Sequence, residues 1–292
     1  MIYRKAKLKG TVLDEFREYV MKKVAEPKKL VDEVLVPLAE AYSDIKEASY
    51  ESPTGADEIN HLLRWLNRID NMDWVPPGIL FMAKNNGDPK ALNQFFTDLE
   101  RLAAIQMLLR VRINERIERY GRVITSIEKS EDLNKADSPL QLTIDEKARA
   151  IKALDGDVYD LMARLRTYVL LRLDSALSGG GATYDYDLIT VEHVLPQTPD
   201  AGSKWMTWFP DQPIREGVVH RLGNLALLTR KKNSSAKNFD FDKKKTSYFS
   251  KGGVSPFAIT TQVLNEREWT PAVVKQRQSD LLGKLKILWR LT

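Results

Sequence analysis

Between Thr11 and about Leu173, apolar residues recur at three- and four-residue intervals, the spacing that predicts helices. Thr11-Val12-Leu13-Asp14-Glu15 reads as an N-cap followed by acids in a first turn. Val31, Val34, Leu35, Leu38 and Ala39 share one helix face, and Ile59, Leu62, Leu63, Leu66 and Ile69 share another. Trp74-Val75-Pro76-Pro77-Gly78 interrupts the pattern. A long helix is predicted from Pro89 to about Tyr120, with Leu92, Phe95, Phe96, Leu99, Leu102 and Ala103 on its core side. Residues 126–138 are polar and read as a loop. Thr143-Ile144-Asp145-Glu146 then opens a helix with a capping-box pattern. The last helix of this region spans Val158 to Leu177, alternating leucine and arginine.

Ser178-Gly179-Gly180-Gly181 reads as a boundary; the Lys-Ser/Thr of a phosphate-binding P-loop does not come after it. Beyond it the texture changes. Leu188-Ile189-Thr190-Val191 and Leu225-Ala226-Leu227-Leu228-Thr229 are short strand candidates. A turn into a helix is expected from Asn233, and an amphipathic helix from Pro271 to Trp289 closes the chain. The pattern therefore predicts a mainly α protein with a small α+β domain: a helical region over 1–178, which would contact a partner or DNA, and the small domain over 179–292.

With 292 residues, 43% of them hydrophobic and 29% charged, the chain can bury a core and stay in solution. No run approaches the roughly 18 apolar residues of a membrane span, and the basic N-terminus lacks the apolar stretch of a signal peptide. The absence of cysteine excludes disulfides, thiolate zinc sites and a cysteine nucleophile; the cytoplasm is the expected compartment. The net charge of +5 says little by itself. Its distribution says more, because Arg230, Lys231, Lys232, Lys237, Lys243, Lys244 and Lys245 crowd one short stretch, a density suited to a phosphate backbone.

Three features with chemical potential lie beyond the glycine run. Val191-Glu192-His193-Val194-Leu195-Pro196-Gln197 places an acid and a histidine at the end of a strand stopped by proline. His220-Arg221-Leu222-Gly223-Asn224-Leu225 is the second, and Asn233, nine residues beyond Asn224, is the third. An acid, a histidine, an aliphatic-x-Pro, a later Asn-Leu and an asparagine at that distance resemble the HNH (ββα-metal) nuclease motif. Adding the Trp-rich spacer, His-x-x-Gly-Asn-Leu-x-Leu-Leu-Thr, Asn238, Phe241 and Lys244, residues 183–250 resemble the C-terminal nuclease domain of GmrSD-type restriction proteins. The preceding helices fit the spacer of that family. Its Asp-Gly-Gln-Gln-Arg nucleotide-binding module is absent from this sequence, so the resemblance implies a sensor domain in a longer protein or on a partner subunit.

The resemblance implies an endonuclease that hydrolyses DNA with Mg²⁺ or Mn²⁺, leaving 5′-phosphate and 3′-hydroxyl ends, in defence against foreign or modified DNA. Glu192 and Asn233 would supply oxygen ligands to the hard cation. His193 would polarise the attacking water, its neutral imidazole being available near pH 7. Asn224 corresponds to the motif's middle asparagine, which ties the loop together and orients the histidine. His220 could orient phosphate, ligate metal or cap a strand. Lys231, Lys232, Lys237 and Lys244 are expected on the nucleic acid, and Asn238 to hold the terminal helix. Adjacent residues of a regular strand face opposite ways, so the backbone must bend if Glu192 and His193 are to share one site.

Other residues have simpler readings. His61 is expected at a helix surface, Trp205, Trp208 and Phe209 over the small core, and Asp185 and Asp187 as solvated turn acids, next in line as ligands. The 161–173 helix is expected to pack with an exposed basic face. A ribonuclease is the alternative enzyme, and a catalytically silent DNA-binding or assembly module the alternative from another class.

Overall fold

The structure, a computed structural model, describes residues 11–24, 26–180, 182–229, 239–250 and 253–292. The chain divides into two compact units, Met1–Glu146 and Lys147–Thr292.

The first unit is helical where it is described. Its longest helix, Pro89–Leu108, starts where the Asp88 side chain accepts the Ala91 N–H at 2.9 Å, with proline in the first turn. Leu92, Phe96, Leu99, Leu102 and Ala103 are fully buried along it, as their spacing predicts. The helix stops short of Tyr120. Arg110 adopts φ +52°, its N–H bonds to Met107 O, and the Val111 N–H reaches Gln106 O. This is a Schellman closure with arginine at the left-handed position that glycine usually fills, which explains why the sequence shows no break. A separate helix, Ile113–Glu128, comes next and takes in the first residues of the expected loop. Trp74-Val75-Pro76-Pro77 likewise begins a helix, Val75–Lys84. Both prolines sit in the first turn, where no N–H is needed. The capping box at Thr143 forms, with the Glu146 N–H on Thr143 Oγ1 and the Thr143 N–H on the Glu146 carboxylate.

The second unit is built around β1 (Thr190–His193) and β2 (Leu225–Leu228), antiparallel in the register Thr190↔Leu228 to His193↔Leu225. β1 starts two residues later than expected, which brings Glu192 and His193 inside the ladder. Helices Lys204–Trp208 and Gln212–Val219 lie between the strands in sequence, and Phe241–Lys244, Ala258–Asn265 and Pro271–Leu288 come after them. Every residue of β2 is buried. Its open edge is closed by a side chain: Thr260 Oγ1 accepts the Leu227 N–H at 3.0 Å and donates to Leu227 O at 2.8 Å. Val194, Leu195, Trp205, Phe209, Ala226, Phe241, Val263 and Trp269 form the core. Trp205 and Phe209 are thus core residues, and Trp208 packs against them.

The division falls upstream of the glycine run. That run closes the helix Ala163–Leu177: Gly179 and Gly180 have φ of +71° and +86°, and the Gly180 N–H returns to Ser175 O. Asp174 of this helix is fully buried and accepts the Ile259 N–H at 2.7 Å and the Tyr184 hydroxyl at 2.9 Å. The helix therefore shares a core with the strands and helices downstream of it, and the glycines turn the chain inside one unit. Among the described residues, no helix is long and apolar enough to cross a membrane.

Candidate functional site

The site is assembled where β1 ends. Glu192 pairs with Ala226 and His193 with Leu225, and both acid and imidazole are largely buried, at 6% and 8% exposure. Past His193 the chain leaves the pleat. Consecutive carbonyls of a regular strand point in opposite directions. Here His193 O and Val194 O both accept from the amino group of Lys244, at 3.0 and 2.8 Å. The chain therefore bends immediately after the Glu-His pair, whereas Glu192 and His193 themselves stay consecutive in the ladder, whose alternation sends adjacent side chains to opposite faces.

Asn224 holds the other side of the bend. Its Oδ1 accepts the Leu195 N–H at 2.7 Å and the Trp269 indole N–H at 3.0 Å, while its Nδ2 donates to Leu195 O and Val219 O. Its own carbonyl takes the Val194 N–H. A fully buried amide with four such bonds has no capacity for substrate. Asn224 is therefore corrected from a catalytic to a positioning residue, in keeping with its loop-tying part in the motif.

Gly223 explains the dipeptide. A Cβ there would lie 2.5 Å from Val274 O, so only glycine admits the helix Pro271–Leu288 so close. From that helix Gln278 accepts the Gly223 N–H at 2.8 Å, and the buried Arg277 donates to the carbonyls of Leu222, Gly223 and Leu225. Burial among neutral carbonyls pulls the Arg277 guanidinium down to about 9.

His220, at the C-cap of Gln212–Val219, reaches the site through its ring. Its Nδ1 lies 3.1 Å from His193 Nε2, and Gln197 Nε2 lies 3.5 Å from the same His193 nitrogen. Asp160 is 3.9 Å from His220 Nδ1. Tyr159 packs on both imidazoles, 4.0 Å from the His193 ring centre and 5.5 Å from that of His220, and its N–H bonds to His220 O. Arg166 covers the outer face of Tyr159 at 4.2 Å and donates to Tyr159 O. Sequence reasoning missed Tyr159. Nothing in its local pattern distinguishes it; only the approach of the 158–160 turn to His220 does.

Lys244 departs from its expected place on phosphate. It is 2% exposed, its ammonium sits 5.7 Å from the Trp205 ring centre and 5.9 Å from that of Phe249, and two of its three donors go to main-chain carbonyls. Burial pushes its pKa down to about 7, with the charge of Glu192 pulling the other way. A neutral amine still carries two N–H donors, so both carbonyl bonds survive loss of the proton. The expected basic face of the 161–173 helix is also reduced: Arg172 is buried and Arg166 is turned onto Tyr159. Asp185 and Asp187 are exposed. His61, in Ala56–Leu66, accepts the Trp65 indole N–H at 2.9 Å. Asn233, Asn238, Lys231, Lys232 and Lys237 lie outside the described residues. Among the described residues, no three His, Asp or Glu side chains form a group that could hold a metal.

No curated protein matches the chain. A family model does, that of GmrSD restriction endonucleases, C-terminal domain, over residues 144–284. That stretch contains Glu192, His193, His220 and the Gly223-Asn224 turn, and it begins close to the start of the second unit. Residues 144–284, just under half of the chain, are thus similar to the C-terminal domain of GmrSD restriction endonucleases, which supports a nuclease domain of the restriction type.

Proposed function

We propose that this domain is an HNH-type endonuclease that hydrolyses DNA phosphodiester bonds with Mg²⁺ or Mn²⁺, as the cutting part of a system restricting foreign DNA in the cytoplasm. The observation that carries the reading is the buried Glu192-His193 pair on a bent strand end, with a second imidazole 3.1 Å from the first.

The donor set suits a hard cation. Glu192 offers carboxylate oxygen and Asn233 carboxamide oxygen, and with so few protein ligands the rest of the shell falls to water and phosphate, as Mg²⁺ prefers. When bound, the cation would supply positive charge to offset the negative charge on the phosphate and the departing 3′-oxygen. The chain's own contribution is His193, whose imidazole can take a proton from the attacking water. His220 Nδ1 and His193 Nε2 are close enough to share one proton, so the tautomer of one ring determines that of the other. Tyr159 keeps both rings from turning. The basic residues around 230–237 would hold the nucleic-acid backbone, and a nucleotide-binding sensor, in the same protein or another subunit, would control the cut.

The test is cleavage of plasmid DNA and of structured RNA by the purified chain, with Mg²⁺, with Mn²⁺ and with EDTA. Nicking or cutting of the plasmid that EDTA abolishes is the expected result. Cleavage of RNA alone would replace DNA by RNA as substrate. Tight binding of DNA without cleavage in either metal would leave a binding module.

A further inference from the structure

A lysine buried to 2% exposure demands a reason, because removing an amino group from water is costly unless its hydrogen bonds are remade. Lys244 remakes two of them, both on consecutive carbonyls at the strand end that carries His193. It is well placed to do so. The Lys244 N–H bonds to Asp240 O at 2.9 Å, anchoring the short helix Phe241–Lys244, and Phe241 is buried beside Trp205 and Trp269. The amino group is thus delivered from the core side, with its stem among aromatic rings. Asn224 fixes the residues after the bend, Val194 and Leu195, and Lys244 fixes the two carbonyls at which the pleat is lost.

We propose that Lys244 is a positioning residue for the cleavage reaction: by drawing the His193 and Val194 carbonyls onto one amino group, it sets the bend at the strand end and so holds the His193 imidazole against His220 and Tyr159. This deepens the nuclease reading and rests on it for the part His193 plays. Lys244 itself touches neither substrate nor metal. A backbone bend held by two hydrogen bonds relaxes when both are removed, and the adjacent imidazole then shifts against its partners His220 and Tyr159.

Lys244→Met keeps the length and apolar character of the stem but removes both bonds. In the full chain we expect this variant to fold, with a lowered melting temperature. Its affinity for a labelled duplex and the salt dependence of that affinity should stay unchanged, while kcat falls by about 100-fold at constant KM, the scale of a misplaced catalytic group. The ¹⁵N resonances of the His193 ring should move from their wild-type positions. Lys244→Arg, which keeps donors in the same region, should recover part of the lost kcat, and it serves as the second variant if Lys244→Met does not fold. A folded Lys244→Met protein with wild-type kcat and unmoved His193 resonances would overturn the proposal. So would a reduced salt slope with raised KM, which would make Lys244 a phosphate contact. Failure of the wild-type chain to cleave any nucleic acid would instead remove the nuclease reading, and the ring resonances would still decide whether Lys244 places His193.

Discussion

His193 Nε2 and His220 Nδ1 lie 3.1 Å apart, and Tyr159 packs against both rings. One proton at most occupies the line between two such nitrogens, so the two imidazoles act as a coupled pair with linked tautomers. This places His220 against His193, a contact outside the three parts left open by its sequence context.

His193→Ala should lower kcat by about 10²- to 10⁴-fold, the usual contribution of a positioned acid-base group. His220→Ala should cost less, about tenfold, because it removes the orienting partner and leaves the base. Duplex affinity should hold in both. Steady-state cleavage rates check this; a purified His193→Ala protein, loaded with metal and cutting at the wild-type rate, would remove His193 from the chemistry.

Cation dependence gives the second test. Cleavage should vanish in EDTA, and Glu192→Ala or Asn233→Ala should each weaken Mn²⁺ binding in calorimetric titration. Unchanged affinity in both variants would place the ligands elsewhere, with Asp185, Asp187 and His220 next to try.

The basic segment can be separated from Lys244 by salt dependence. Removing one lysine that touches phosphate should reduce the slope of log affinity against log salt by about one unit. Lys231→Ala/Lys232→Ala should show that reduction across all sequences alike, whereas Lys244→Ala should not, because its amino group is buried on main-chain carbonyls. Fluorescence anisotropy over a salt series measures both.

Lys244 also makes stability depend on pH in a definite sense. Its folded pKa is depressed to about 7 from the ordinary 10.5, so the unfolded chain binds more protons between those values. That group's contribution should make the protein more stable as pH rises from 7 to 10.5, with the full cost of burying the charged form present below 7. Urea unfolding across this window should show the increment in wild type and lose it in Lys244→Met.

Gly223→Ala tests the close approach of the last helix. With its Cβ 2.5 Å from Val274 O, backbone must move, and a loss on the order of 1–3 kcal/mol is expected from chemical denaturation. A neutral result would show that the Pro271–Leu288 helix yields without cost.

Much of this protein is determined by its sequence alone, and the parts so determined are local. Helical periodicity in Leu92, Phe96, Leu99 and Leu102, the caps at Asp88 and Thr143, and a β-branched run ending in Glu-His-x-x-Pro each depend on residues within a few positions of one another. The restriction-nuclease resemblance is legible for the same reason, since Glu192-His193 and Gly223-Asn224 are short, specific groupings. The features that only the tertiary structure decided depend on distant partners. Lys244 reads as one more surface charge in a basic run, yet the fold brings it 51 residues back and buries it on His193 O. Tyr159 meets His220 by the same kind of long-range approach, and Arg110 ends a helix in a conformation its side chain does not advertise. The glycines at 179–180 read as a linker because their conformational freedom serves a helix terminus equally well. The buried contacts of Asp174 with Ile259 and Tyr184 join the preceding helix to the nuclease core. Local pattern encodes which backbone states are cheap, whereas burial and long-range hydrogen bonding decide which of them is used, and for what.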